Sequence, residues 1–164
     1  MLTLRLKTDY VWLPKNGSTT LSRWFGYDYH LIDGCVDLKP EELVNPWTIS
    51  RDPVERFKSA YQQFFKFQSV DMVIDYLPEL IKTTTIKANH VRPQLDRVEG
   101  MLPSDFSRVF TMSEMDKVKL YCEELVGHTL EDIVENQTET LVLTGDQEAK
   151  LKDFYQRDYE AGWC

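Results

Sequence analysis

The 164-residue chain is poor in the residues that most readily betray chemistry: three cysteines, three histidines and seven glycines. Cys35, Cys122 and Cys164 are an odd set without metal-ligand spacing, so no zinc site and no disulfide framework is read from them; free thiols in a reducing cytoplasm are expected. Positive charge is also scarce, with 19 Lys and Arg against 27 Asp and Glu for a net charge of −8. That balance excludes a broad nucleic-acid-binding face and obliges any site for a polyanion to gather its few cations locally, with Lys15, Arg51, Lys87 and Arg92 as the ones to follow. No apolar run is long enough to span a bilayer, and Met1–Lys7 lacks the apolar region of a secretory signal. What remains is ordinary for a folded domain: 42% hydrophobic and 28% charged residues, at a length that predicts one domain over 1–164.

The most informative stretch is Pro14-Lys15-Asn16-Gly17-Ser18-Thr19-Thr20. An apolar run, 10–13, leads in and a helix-like run, 21–25, leads out, so the turn falls between a strand end and a helix start. Unpaired first-turn amides and the positive end of a helix dipole suit such a turn to an anion. Gly17 allows close backbone approach, Lys15 adds charge, and the three hydroxyls add donors. The Gly-Lys-Ser/Thr order of a Walker A loop is missing.

Further on, the pattern predicts a strand over 8–13, a helix over 18–26, loops over 27–45 and a strand over 46–51. A helix follows from Pro53, carrying Val54, Phe57, Ala60, Tyr61 and Phe64 at helical spacing. Another is predicted over 70–82, broken near Pro78, then irregular chain over 83–105 and a strand over 108–112. Ser113 is expected to cap a helix ending near Gly127, and Thr144 with Gln147 a last helix. Alternating strands and helices predict an α/β fold: a P-loop-like, three-layer domain with a small, mainly parallel sheet flanked by helices. The second strand also ends in a potential anion grip, Arg51-Asp52-Pro53, with Ser59 two helical turns on.

Two such turns in succession resemble the PAPS-dependent sulfotransferases, most closely the carbohydrate (Golgi-type) enzymes, in a minimal soluble form. The 14–20 stretch is similar to the family's 5′-phosphosulfate loop, and Arg51-Asp52-Pro53-Val54-Glu55-Arg56-Phe57-Lys58-Ser59 to its 3′-phosphate segment. His90-Val91-Arg92-Pro93-Gln94 resembles a His-x-x-Pro-Gln element of the carbohydrate enzymes. The resemblance implies 3′-phosphoadenosine 5′-phosphosulfate (PAPS) as donor, adenosine 3′,5′-bisphosphate as product, no metal, and a hydroxyl-bearing acceptor, a glycan. It implies that residues Lys15, Asn16, Gly17, Ser18, Thr19 and Thr20 hold the 5′ end, with Lys15 at the bridging oxygen. Arg51 and Ser59 then take the 3′-phosphate. For the general base it offers His30, which lies between the two motifs, and His90. His90, Arg92 and Gln94 are the candidate acceptor-binding residues. His128, after Gly127, reads more simply as a helix-dipole partner. Two other readings stand beside it: a nucleotide or phosphate kinase with a P-loop-like site, and a non-catalytic PAPS-binding module.

Overall fold

The structure is a computed structural model that describes residues 1–5, 8–25, 35–133 and 141–163. Five strands form one sheet among them: β1 (Leu2–Arg5), β2 (Asp9–Val11), β3 (Cys35–Asp37), β4 (Trp47–Ser50) and β5 (Arg108–Thr111), in the order β3-β1-β2-β4-β5. β1 runs antiparallel to both neighbours, whereas β2, β4 and β5 are parallel. The sheet is therefore mixed rather than mainly parallel. The reason is that β1 and β3, outside the predicted strands, add an antiparallel half beside the expected parallel one.

Helices fill the connections: α1 (Ser18–Phe25), α2 (Pro53–Phe64), α3 (Val70–Leu80), α4 (Ile86–Val91), α5 (Gln94–Arg97), α6 (Met115–Val126), α7 (Gly145–Phe154) and α8 (Gln156–Glu160). α2 starts where its sequence says it should. Asp52 accepts from the Glu55 amide at 3.0 Å, and Pro53 occupies the first turn, where its missing N–H costs nothing. Pro78 lies near the end of α3, which stops at Leu80. Residues 83–105 are more ordered than predicted, holding α4 and α5. Ser113 is not the cap of α6: it sits inside a single 3₁₀ turn, Met112–Glu114, that leads into the helix. Gly127 ends α6 in the left-handed conformation (φ 78°), as expected, and Thr144 with Gln147 forms the predicted capping box of α7.

Strand alternation sends Tyr10, Trp47, Ile49 and Phe110 to one face of the sheet, under Leu21 of α1 and Val118 and Cys122 of α6. Val11 goes to the other face, with Val98, Met101, Phe106 and Trp163. Each of these large side chains removed from water contributes about 1.5–3 kcal/mol, so both faces need their covers. A third apolar cluster joins α2, α3, α4 and α7 without a strand residue. Burial pushes the Cys122 thiol up to about 12, and it is a free cysteine. No helix among the described residues is long and apolar enough to cross a membrane.

Candidate functional site

β2 and β4 lie side by side and parallel, but the chain leaves them in opposite directions. After β2 the next strand, β3, is on one flank of the sheet; after β4 the next, β5, is on the other. In open α/β sheets the ligand-binding crevice lies between the C-terminal ends of two such strands. The turn after β2 carries Lys15, and the turn after β4 carries Arg51. They touch: Arg51 Nη1 donates to the Lys15 carbonyl at 3.1 Å.

The first turn is bent by two residues in the left-handed region, Lys15 (φ 69°) and Gly17 (φ 77°). A Cβ on Gly17 would reach Met115 Sδ and Cε at 3.4 Å and Ile49 Cδ1 at 3.5 Å, ordinary contacts with the apolar layer, so it is the positive φ rather than crowding that asks for glycine. Asn16 is fully buried, and its Nδ2 donates to the Ile49 carbonyl (2.7 Å) and to Gln94 Oε1 (2.9 Å). Its own N–H turns back to the Leu13 carbonyl at 3.4 Å. Asn16 thus anchors the loop from inside. The amides with no acceptor in the helix are those of 17–20, the cap and first turn of α1. Ser18 and Thr20 are buried, and Thr19 is half-buried.

Lys15 reaches across to α2, where its ammonium donates to Gln63 Oε1 at 2.8 Å. Ser59 is one helical turn before Gln63 and therefore on the same side of α2, facing the loop. Burial pulls the Arg51 guanidinium below its ordinary value, with Glu55 acting the other way; an arginine stays charged nonetheless. Lys15, Arg51 and Ser59 are in this way brought to one crevice.

Gln94 is the joint of the site. It is fully buried, and its Oε1 accepts from Asn16 Nδ2 and from the Arg51 amide (3.3 Å). Its Nε2 donates to the Arg51 carbonyl (2.9 Å) and the Trp163 carbonyl (3.3 Å). All four hydrogen-bonding positions of the amide are filled by protein, so Gln94 fastens the two turns together instead of presenting itself to a ligand. Asp158 of α8 holds this joint from behind, accepting from the Gln94 amide (2.7 Å) and the Leu95 amide (2.9 Å).

The other members of the third motif have distinct places. Arg92 donates through one Nη to the carbonyls of Ile81 and Thr83, both at 2.8 Å, closing the end of α3. His90 is half-buried on α4, edge-on to Phe64 with ring centroids 4.7 Å apart. Its Nδ1 lies 2.7 Å from the Ile86 carbonyl, which can only accept; Nδ1 therefore carries the proton and Nε2 keeps its lone pair. Burial lowers its pKa to about 4; the Ile86 bond opposes this, while the charges of Lys15, Arg56 and Arg97 reinforce it. His30, with Tyr27 and Tyr29, lies outside the described residues.

Three residues near the site, Gln63, Asp158 and Arg97, escape a motif reading, and Arg56, within the second motif, has a structural place that the motif does not give. Gln63 is the partner of Lys15, signalled only by its i, i+4 relation to Ser59. Arg56 is fully buried, donates to the His90 and Arg92 carbonyls, and lies 5.8 Å over the Tyr155 ring. Asp158 and Arg97 carry no local signal at all. Trp163 is core, edge-on to Phe106 at 5.4 Å. His128 lines a separate cavity of about 680 Å³ with Arg23, Trp24 and Asp132, near the far end of α1. Compared with family models, curated proteins and solved structures, the chain matches none.

Proposed function

We propose that this chain is a sulfotransferase, moving a sulfuryl group from PAPS to an acceptor hydroxyl on a carbohydrate. The observation that carries the reading is the meeting of two anion-suited turns at the sheet's switch point, Arg51 Nη1 to the Lys15 carbonyl at 3.1 Å. A donor with phosphates at both its 5′ and 3′ ends needs two separate grips at a fixed spacing, and Gln94 fixes one.

The residues present fit that donor, which when bound supplies the sulfuryl group. The amides of 17–20 and the hydroxyls of Ser18, Thr19 and Thr20 offer donors to the 5′ end. Lys15 swings from Gln63 to neutralise charge on the leaving oxygen, the place where a preformed cation lowers the barrier most. Arg51 forks onto the 3′-phosphate, with Ser59 adding a hydroxyl. His90 Nε2 is a lone pair available to the acceptor's proton, and His30 is the other candidate base. Arg92 supports the acceptor side through the end of α3. The reading carries with it a P-loop-like parallel half of the sheet and a cytoplasmic setting in which Cys122 stays a thiol.

Calorimetry with adenosine 3′,5′-bisphosphate, ATP and adenosine 5′-phosphosulfate tests it. The bisphosphate is expected to bind best. Preference for ATP, or indifference to the 3′-phosphate, overturns the reading in favour of phosphoryl transfer. Bisphosphate binding without transfer of labelled sulfate to any of a panel of glycans, phenols, lipids and peptides leaves a non-catalytic PAPS-binding module.

A further inference from the structure

The sheet stops at β5 on one flank. Its inner edge pairs with β4 over Arg108–Thr111 without a bulge, and no strand among the described residues pairs its outer edge. Such an edge is a row of main-chain donors and acceptors that a further strand can complete, and chains that must stay apart blunt it with proline, a bulge or outward charge. β5, Arg-Val-Phe-Thr, has no proline. Its one charge, Arg108, is exposed but folded back: the guanidinium lies 4.6 Å from the centre of the Tyr121 ring and 5.6 Å from that of Phe110. No carboxylate lies within ion-pair distance of Arg108 among the described residues.

α6 lies beside this edge, and its two flanks are used differently. On one flank Lys119 donates to Asp132 Oδ1, and Glu123 Oε1 accepts from the Leu130 amide at 2.9 Å, so the chain after the helix covers it. The other flank, with Lys117, Leu120, Tyr121 and Glu124, borders β5 and leaves a groove of about 370 Å³ between helix and strand. Leu120 is 61% exposed there, a large apolar side chain with no cover among the described residues. Glu114 bounds the groove at the end of β5. Its carboxylate accepts from the Thr111 amide at 3.0 Å and from the Lys117 ammonium at 2.7 Å. The edge thus carries a cation at its start and a fixed carboxylate at its end.

We propose that a second copy of this chain docks on this edge, β5 against β5, antiparallel about a twofold axis. Antiparallel pairing sets the start of each strand beside the end of the other, so Arg108 of each copy meets Glu114 of the other copy. The charge pattern is complementary to itself in that sense, as a twofold interface requires. A four-residue strand pair is small against the roughly 1,200 Å² that a stable interface buries, so Leu120 of each copy contributes by entering the groove of the other. Each copy carries a net charge of −8, a repulsion that physiological salt damps beyond about 8 Å while leaving contact pairs in force. The association is independent of what the crevice binds.

The test is sedimentation velocity of the full chain at physiological salt, from about 1 to about 200 µM, where a monomer is expected to give way to a dimer. Hydrogen exchange of the β5 amides should slow as the dimer forms. Arg108→Glu and Glu114→Arg each set like charges face to face twice in a dimer, and each is expected to weaken association by about tenfold or more. Mixed in equal amounts the two variants should recover it, because the mixed dimer holds two opposite pairs again. Glu114 also holds the Thr111 amide, so Leu120→Asp, at an exposed position that spares the fold, keeps the test decisive if Glu114→Arg folds poorly. Its dimer should be weaker by about tenfold with an unchanged Tm. A wild type that stays monomeric over the whole range overturns the proposal and leaves the edge to a foreign strand. A dimer with the same Kd in Arg108→Glu and Leu120→Asp overturns it too, since the copies would be joined elsewhere. So does a mixture of folded Arg108→Glu and Glu114→Arg chains that fails to dimerise.

Discussion

The Arg51 guanidinium donates to the main-chain carbonyl of Lys15, 36 positions earlier in the chain, so the two turns at the switch point hold each other. Loss of Arg51 therefore removes a charge from the crevice and a brace from the loop. Arg51→Ala is expected to weaken adenosine 3′,5′-bisphosphate binding by about 2–5 kcal/mol, the range for stranding a charged partner. Arg51→Lys should recover only part of this, because an ammonium keeps the charge but not the fork. An unchanged Kd in calorimetry would remove Arg51 from the donor grip.

Lys15 and Gln63 separate binding from chemistry. Lys15→Ala should lower turnover of PAPS by a larger factor than it weakens bisphosphate binding, since a cation on a leaving oxygen acts mainly in the transition state. Gln63→Ala removes an exposed contact and should change stability by no more than about 0.5 kcal/mol in urea titrations. Equal losses of binding and turnover in Lys15→Ala would make it a binding residue only.

Gln94→Leu keeps the size of the side chain and strands the groups it serves, the Arg51 amide and carbonyl among them. Each buried group left unpaired costs about 1–3 kcal/mol, so a clear fall in Tm is expected. Bisphosphate affinity should fall with it although Gln94 faces no ligand. A variant with wild-type Tm and affinity would deny it the joining role.

His90 gives the fold a pH dependence of defined sign. Its pKa is lowered to about 4 in the folded chain, so between there and the ordinary histidine value the unfolded chain binds the extra proton. Stability contributed by the neutral ring is complete above about pH 6.5 and is lost as pH falls toward about 4, on the order of 3 kcal/mol at most. Urea denaturation at pH 7 and pH 4.5 should show a smaller difference in His90→Gln than in the wild type. In the pH–rate profile, an acidic limb near 4 that disappears in His90→Gln would mark it as the base; a limb near neutrality that survives would point to His30.

The parallel half of the fold and its crevice are legible in sequence because their signals are local. Apolar runs end in turn residues, Asp52-Pro53 starts a helix, Gly127 ends one, and Thr144 with Gln147 starts another. The antiparallel half is not legible. β3 has only three residues, too few for a period to register, and β1 is specified by its partners across the sheet. The joint at Gln94 is hidden for a different reason: its partners lie 43, 69 and 78 positions away, and no neighbouring residue announces them. Lys15 and Arg51 are legible in their turns, whereas Gln63, which accepts from the Lys15 ammonium, is not, because it lies 48 positions away on a helix.

The seat of Gly17 on the Met115 thioether has a consequence outside folding and affinity. A thioether is the one apolar side chain that mild oxidants convert to a polar, bulkier group, reversibly. Sulfoxide at Met115 would bring a polar oxygen under the loop, toward the space that the absent side chain of Gly17 leaves. Peroxide exposure should therefore silence the crevice before it unfolds the chain, and methionine sulfoxide reductase should restore it.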